Sequence, residues 1–229
     1  MREKQVLPVV VVALTAALVA VVALWTMDRV GRGGTATVIS SGPDKVIEWK
    51  LVTTWPKGLP GLGAAPENFA RRVNEASGGR MRIKVFGAGE IVPAFEVFDA
   101  VSRGVAEAGH GAAYYWKGKI PAAVFYTAVP FGMTAQEANG WLHYGGGLEL
   151  WRELYAPFGV VPFAGGSTGV QMAGWFNTRL KSRADLQGLK MRIPGLAGEV
   201  FDAAGGSAVR IAGGEVYTSM QTGVIDAVE

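Results

Sequence analysis

The sequence predicts an α/β protein of two lobes with a ligand cleft between them. Three observations lead there. Residues 46–115 read as strand, helix, strand, helix, strand, the first half of a doubly wound unit. Residues 171–229 read as a second α/β unit of shorter elements. The composition, 49% hydrophobic and 18% charged with 33 Gly and 11 Pro in 229 residues, is globular and leaves room for one large domain or two small lobes.

The elements follow in order. Residues 6–27 are almost wholly apolar, behind a short start that carries Arg2 and Lys4. About 20 apolar residues span a bilayer as a helix, and Trp25 sits at the outer edge of the run, where interfacial anchors occur. Residues 1–30 are expected to be an N-terminal signal or membrane anchor. Thr35-Ala36-Thr37 is a poor cleavage site, which favours an uncleaved transmembrane helix with the remainder exported. Residues 31–45 are rich in Gly, Ser and Thr and read as a linker.

Residues 46–54 are expected to form the first strand, closed by the turn Trp55-Pro56-Lys57-Gly58. A helix is expected over 67–76, with Phe69 and Val73 on one face and Gly78-Gly79 as the stop. A second strand is expected over 81–86. Gly87-Ala88-Gly89-Glu90 leads into a helix over 93–103, with Phe95, Phe98 and Val101 at helical spacing. Val92 stands where a dinucleotide loop needs its third glycine, so that motif fails. A third strand over 106–115 would place Tyr114 and Tyr115 at its end.

Pro121 and Pro130 break up the apolar stretch 120–131. Thr134, with Glu137 three residues on, is a capping box that opens a long helix to about residue 155, bending at Gly145-Gly146-Gly147. Its Trp141, Leu148, Leu150, Trp151 and Leu154 are expected in the core. Strands follow over 160–163, 173–177, 189–193 and 208–211 and from 224 on. Helical segments are expected from Ser182, over 199–204 and over 215–222. The lobes divide as 46–170 and 171–229.

Charge excludes little. Arg2, Lys4, Arg29 and Arg32 against Glu3 and Asp28 give +2 in the first 34 residues, leaving +1 of the net +3 for the rest. No basic cluster points to nucleic acid. There is no cysteine, which removes disulfides, thiolate metal sites, a cysteine nucleophile and a lipid-attachment cysteine.

Leu189-Lys190-Met191-Arg192-Ile193-Pro194-Gly195 places Arg192 at the C-terminal end of a strand, before a Pro-Gly turn. In open α/β sheets that end opens on the ligand crevice. A guanidinium there offers a planar fork of donors that matches a carboxylate. Spacing alone favours an ordinary surface or salt-bridged arginine. Gly165-Gly166-Ser167-Thr168-Gly169 fits a nucleophile elbow, but both histidines, His110 and His143, precede Ser167, against the order a serine hydrolase needs. Both histidines read as structural.

Three segments carry a family resemblance: Gly169-Val170-Gln171-Met172, Met191-Arg192-Ile193-Pro194-Gly195, and Gly223-Val224-Ile225-Asp226-Ala227-Val228-Glu229. In their order and spacing, residues 46–229 resemble the solute-binding proteins of tripartite ATP-independent periplasmic (TRAP) transporters. The similarity points to the branch that binds 2-oxo or 2-hydroxy monocarboxylates with a metal ion. The resemblance implies a two-lobed periplasmic-binding-protein fold, incomplete at its C-terminus, with a long helix and further strands to follow. It implies an exported, periplasmic receptor and no enzyme, which delivers a small carboxylate to separate membrane subunits. It carries the carboxylate-binding arginine onto Arg192 and the metal ligands onto Gln171 and Glu229, with sodium or calcium as the ion. The tryptophan that follows the glutamate in the family has no counterpart. Tyr114 and Tyr115, and less strongly Trp55, are the first-lobe candidates for the ligand wall. A membrane-tethered carboxylate sensor is the alternative reading, and a serine hydrolase the more distant one.

Overall fold

The computed structural model describes residues 45–229. The apolar run expected as a signal or anchor, and the linker up to residue 44, lie outside the described residues. Among the described residues no helix is long and apolar enough to cross a membrane.

Strand β1 (Ile47–Thr53) leads through the turn at Trp55 into helix α1 (Ala64–Ala76), then strand β2 (Met81–Phe86). A 3-10 turn at Ala94–Glu96 opens helix α2 (Val97–Ser102), and strand β3 (Ala108–His110) follows. The three strands form a parallel sheet in the order β2-β1-β3. Parallel strands need cover on both faces, and successive residues of β1 meet that need from opposite sides. Leu51 packs with Ala70 of α1 and Val85 of β2. Val52 packs with Val97 and Ala100 of α2 and with Ala106. The four-residue spacing correctly marks α1 as a helix but not its buried side, because Pro66 and Ala70 are buried while Phe69 is exposed.

Past β3 the chain departs from the expected strand over 106–115. β3 pairs with β1 only from Leu51↔Ala108 to Thr53↔His110, and there β1 ends. Residues Ala113–Trp116 therefore turn as a 3-10 segment, and a second such segment spans Pro121–Tyr126. Gly111 permits the tight approach at this corner, since a Cβ there would stand 2.7 Å from Thr54 Cγ2. Tyr114 and Tyr115 thus come from a turn, not from a strand.

Thr134 caps helix α3 (Ala135–Tyr144) with the expected box: Glu137 N–H donates to Thr134 Oγ1 at 3.4 Å, and Thr134 N–H donates to Glu137 Oε2 at 2.8 Å. The long helix is two helices. The chain breaks at Gly146, whose φ is +82°, before α4 (Gly147–Tyr155). Gly147 lies against the Trp141 ring, where a Cβ would meet ring carbons at 2.7 Å. Trp151 and Tyr155 join Phe98, Ala113, Ile120, Ala123 and Leu142 in the largest apolar cluster, with Trp141, Leu148 and Leu154 packed against it. Tyr126 stacks on Trp151 at 4.8 Å and 8°. Leu150, expected in this core, is exposed.

Residues 160–163, expected as a strand, take no regular structure. A strand needs a ladder partner for its N–H and C=O groups, and among the described residues this segment has none. The second sheet begins with β4 (Trp175–Phe176). A 3-10 turn at Arg183–Leu186 precedes β5 (Lys190–Arg192), helix α5 (Gly195–Ala203) and β6 (Ser207–Val209). Helix α6 (Val216–Gln221) and β7 (Ala227–Val228) complete the order β4-β7-β5-β6, parallel except for the antiparallel β4–β7 pair. Its core is small: Met191, Phe201 and Ala227, flanked by Phe176, Leu186, Leu189, Ile193 and Ala208.

Candidate binding cleft

Arg192 is the last residue of β5, hydrogen-bonded on one side to β6 and on the other to β7. Pro194 and Gly195 then turn the chain into α5, with Gly195 in the left-handed region at φ +70°. Arg192 is 7% exposed, the only charged residue buried among the described residues. A buried guanidinium must be matched by acceptors, and the acceptors come from both sheets. Nε donates to the Ile211 carbonyl at 3.2 Å. Nη1 donates to the Glu229 main-chain oxygen at 2.6 Å and to Glu229 Oε2 at 3.3 Å. Nη2 donates to Tyr115 Oη at 2.9 Å. A guanidinium has five N–H donors, so one Nη2–H remains without a protein acceptor among the described residues.

Tyr115 is buried and reaches Arg192 from the 3-10 turn after β3. Tyr114 stands edge-on to it, ring centroids 4.7 Å apart, and lies against the start of α5, where a Cβ on Gly195 would be 3.1 Å from Tyr114 Cβ. Burial, then the neighbouring Tyr115 and the Glu229 carboxylate, push the Tyr114 phenol well above its ordinary value, so it stays neutral and keeps its O–H as a donor. Trp55 continues this wall, 6.4 Å from the Tyr115 ring and 5.1 Å from His110. His110 packs edge-on to Trp55, as a structural histidine does. Burial lowers its pKa, and its Nδ1 has no partner among the described residues.

Glu229 sits beside Arg192 in the cleft. Burial raises its carboxyl pKa and the Arg192 charge partly restores it. Gln171 is placed differently. It is exposed, and its side-chain amide donates to Thr168 Oγ1 at 2.8 Å, with no hydrogen bond to Arg192 or Glu229. Among the described residues no three His, Cys, Asp or Glu side chains cluster as a ready metal site. The donor types of Glu229 and Gln171, a carboxylate and an amide oxygen, nevertheless suit a hard cation that takes oxygen ligands.

The pattern of the sequence missed Phe95 and Arg210. Phe95 was grouped with Phe98 and Val101 by helical spacing. It falls instead in the 3-10 turn ahead of α2, where its ring meets Tyr115 at 5.0 Å.

Two α/β sheets that meet at a buried arginine, with aromatic side chains from one and charged side chains from the other, have the architecture of a two-lobed binding protein. Comparison with known proteins narrows this class. The family model of DctP, the bacterial extracellular solute-binding proteins of family 7, matches residues 51–229. A monocarboxylate 2-oxoacid-binding periplasmic protein of Nostoc sp. is 48% identical over 183 residues, which is 80% of this chain and 50% of that protein. A TRAP periplasmic solute-binding protein of Pseudoalteromonas atlantica, with bound sodium and pyruvate, superimposes with a TM-score of 0.78 at 46% identity, over 81% of this chain and 56% of that one. One from Colwellia psychrerythraea, with bound calcium and pyruvate, gives 0.77 at 45% identity over the same shares. The chain belongs to the DctP family of bacterial extracellular solute-binding proteins. It spans about half the length of these relatives.

Proposed function

We propose that the protein is an extracytoplasmic receptor that captures a small 2-oxo or 2-hydroxy monocarboxylate in the cleft between lobes 46–170 and 171–229. It catalyses no reaction, and it hands its ligand to the membrane subunits of a TRAP transporter. The observation that carries this reading is Arg192: a buried cation shared by both sheets, with one N–H still available. A ligand carboxylate takes that Nη2–H and replaces the longest existing contact, the 3.3 Å bond to Glu229 Oε2, to complete a bidentate pair. Tyr115 fixes the plane of the guanidinium. Tyr114 and Trp55 supply apolar wall for the carbon chain, as ligand pockets require. Similarity to solute-binding proteins with bound sodium and pyruvate, or calcium and pyruvate, supports the ligand class and the ion.

Glu229 and Gln171 are the residues that would hold the cation. When bound, such an ion would supply positive charge that offsets the Glu229 carboxylate and polarises the ligand's oxygens. Gln171 reaches it only if the segment carrying Thr168 moves with the cleft. Lobe closure around ligand is the general mechanism for such receptors. Residues 1–30 hold the receptor at the periplasmic side of the inner membrane.

Thermal unfolding of the natural full-length protein tests this. Pyruvate, lactate, longer 2-oxo acids and dicarboxylates are added singly, each with and without sodium or calcium. A ligand at 100 times its dissociation constant adds about 2.7 kcal/mol of stability. The reading expects a rise in melting temperature with monocarboxylates that is larger with the cation. A rise with dicarboxylates alone, or with none of these acids, contradicts it.

A further inference from the structure

A second arginine crosses to the first sheet beside the cleft. The Arg210 guanidinium carbon stands 4.0 Å from the centroid of the Phe95 ring. Phe95 packs on Tyr115 at 5.0 Å, Tyr115 accepts from Arg192, and Arg192 donates back to the carbonyl of Ile211, the residue after Arg210. The contacts close a circuit, Arg192 to Tyr115 to Phe95 to Arg210–Ile211 and back to Arg192. It passes from one sheet to the other twice. Arg210 is exposed and, among the described residues, forms no ion pair. Its guanidinium lies over a π face instead.

The next residues continue the same docking. A Cβ on Gly213 would stand 3.2 Å from Trp55 Cδ1, and one on Gly214 would stand 3.0 Å from Pro56 Cγ. Ordinary van der Waals contact begins farther out, so a side chain at either position would press on the turn that follows β1, and glycine lets the segment sit close to it. Within five consecutive residues, Arg210, Gly213 and Gly214 thus meet turns of the first lobe through a cation on a ring and two bare backbone positions, while the Ile211 carbonyl orients Arg192.

We propose that residues 210–214 are a clasp that holds the two lobes together over Arg192, with Arg210 as a positioning residue for ligand binding. The proposal rests on the carboxylate-receptor reading above and adds to it a determinant that never touches the ligand. The stack on Phe95 exists only while the lobes are together, so its loss acts on closure and on ligand release. Arg192 keeps its charge and its bond to Glu229 in the same variant. A cation–π contact of this exposure corresponds to a weakening of about twofold to fivefold in the dissociation constant, expressed chiefly as faster dissociation.

The test uses the natural full-length protein with one spin label on each lobe, through Arg72→Cys on α1 and Gln221→Cys on α6, both at exposed positions. The chain has no cysteine of its own, so labelling is specific. Inter-label distances are measured with and without pyruvate and calcium, and pyruvate dissociation is timed in parallel. Arg210→Ala should shift the distances towards the longer population in both conditions and speed dissociation by about twofold to fivefold. Arg210→Lys should fall between the two. Phe95→Leu, which keeps apolar bulk and removes the π face, should give the same shift from the other lobe. The double variant should be no worse than either single one, as coupled partners require. Gly213→Ala should also lengthen the distances. Unchanged distances in Arg210→Ala and Phe95→Leu overturn the clasp. If the unaltered protein binds no pyruvate, the receptor reading fails, and the ligand-free distances still decide the clasp.

Discussion

The two sheets are built to different standards. β1 runs seven residues and is sandwiched between α1 and α2, with a further aromatic cluster around Trp151 beside it. The strands of the second sheet run two or three residues around Met191, Phe201 and Ala227. The buried charge of the cleft is mounted on this thinner unit. What apolar area does not supply there, the hydrogen bonds of Arg192 to Ile211, Glu229 and Tyr115 do. The difference teaches a division of labour: the first lobe presents an aromatic wall from the turns beside its sheet, and the second presents a cation whose position depends on its partners.

The sharpest way to break this comparison is to remove core from each side. Trp151→Ala should cost about 3–5 kcal/mol in chemical denaturation, because the cavity opens among Tyr126, Tyr155 and Leu142 in a cluster with little room to collapse. Met191→Ala should cost about 2–3 kcal/mol, since methionine sites relax more readily. It should also loosen Arg192, its neighbour in β5. Equal costs, with ligand affinity untouched by Met191→Ala, would remove the contrast.

A smaller effect separates two carboxyls. Burial raises the Glu229 pKa above its unfolded value. A group shifted that way contributes stability that is present at low pH and is lost as pH rises through its folded pKa. Glu137 runs the other way. The Thr134 N–H holds its pKa down, so its contribution is present above the ordinary carboxylate range and fades as pH falls through the folded value. In a pH series of melting temperatures, Glu229→Gln should remove the loss on the alkaline side of the carboxylate range, and Glu137→Gln should remove the loss on the acid side. If Glu229→Gln leaves the alkaline side unchanged, Glu229 is not buried against Arg192 as described. Smallest is the cap itself: Thr134→Ala should cost about 1 kcal/mol of stability and leave ligand affinity unchanged.

Much of this was legible in the sequence, and the rest was hidden for physical reasons. The Pro-Gly turn after Met191-Arg192 placed the arginine at a strand end because proline and glycine restrict the backbone locally. The capping box at Thr134 is likewise a local interaction. Periodicity found α1 but chose Phe69, because spacing identifies a helix without saying which side meets the sheet. Tyr114 and Tyr115 read as strand because the run 106–115 is apolar; where the ladder stops depends on the length of β1, which lies far away in sequence. Phe95 and Arg210 carried no local signal at all, since their contact exists only across the two sheets. Gln171, singled out by family resemblance, meets Thr168 instead of the arginine.

The central claim is that the Arg192 fork receives a carboxylate. Isothermal titration of pyruvate with calcium, into the natural full-length protein and its Arg192→Lys variant, tests it most directly. Lysine keeps the charge and loses the planar pair of donors. The account predicts binding to the unaltered protein and a weakening of about 10- to 150-fold in Arg192→Lys, the range expected for a lost charge-assisted hydrogen bond. Affinities within twofold of each other, with both proteins melting cooperatively, would contradict it.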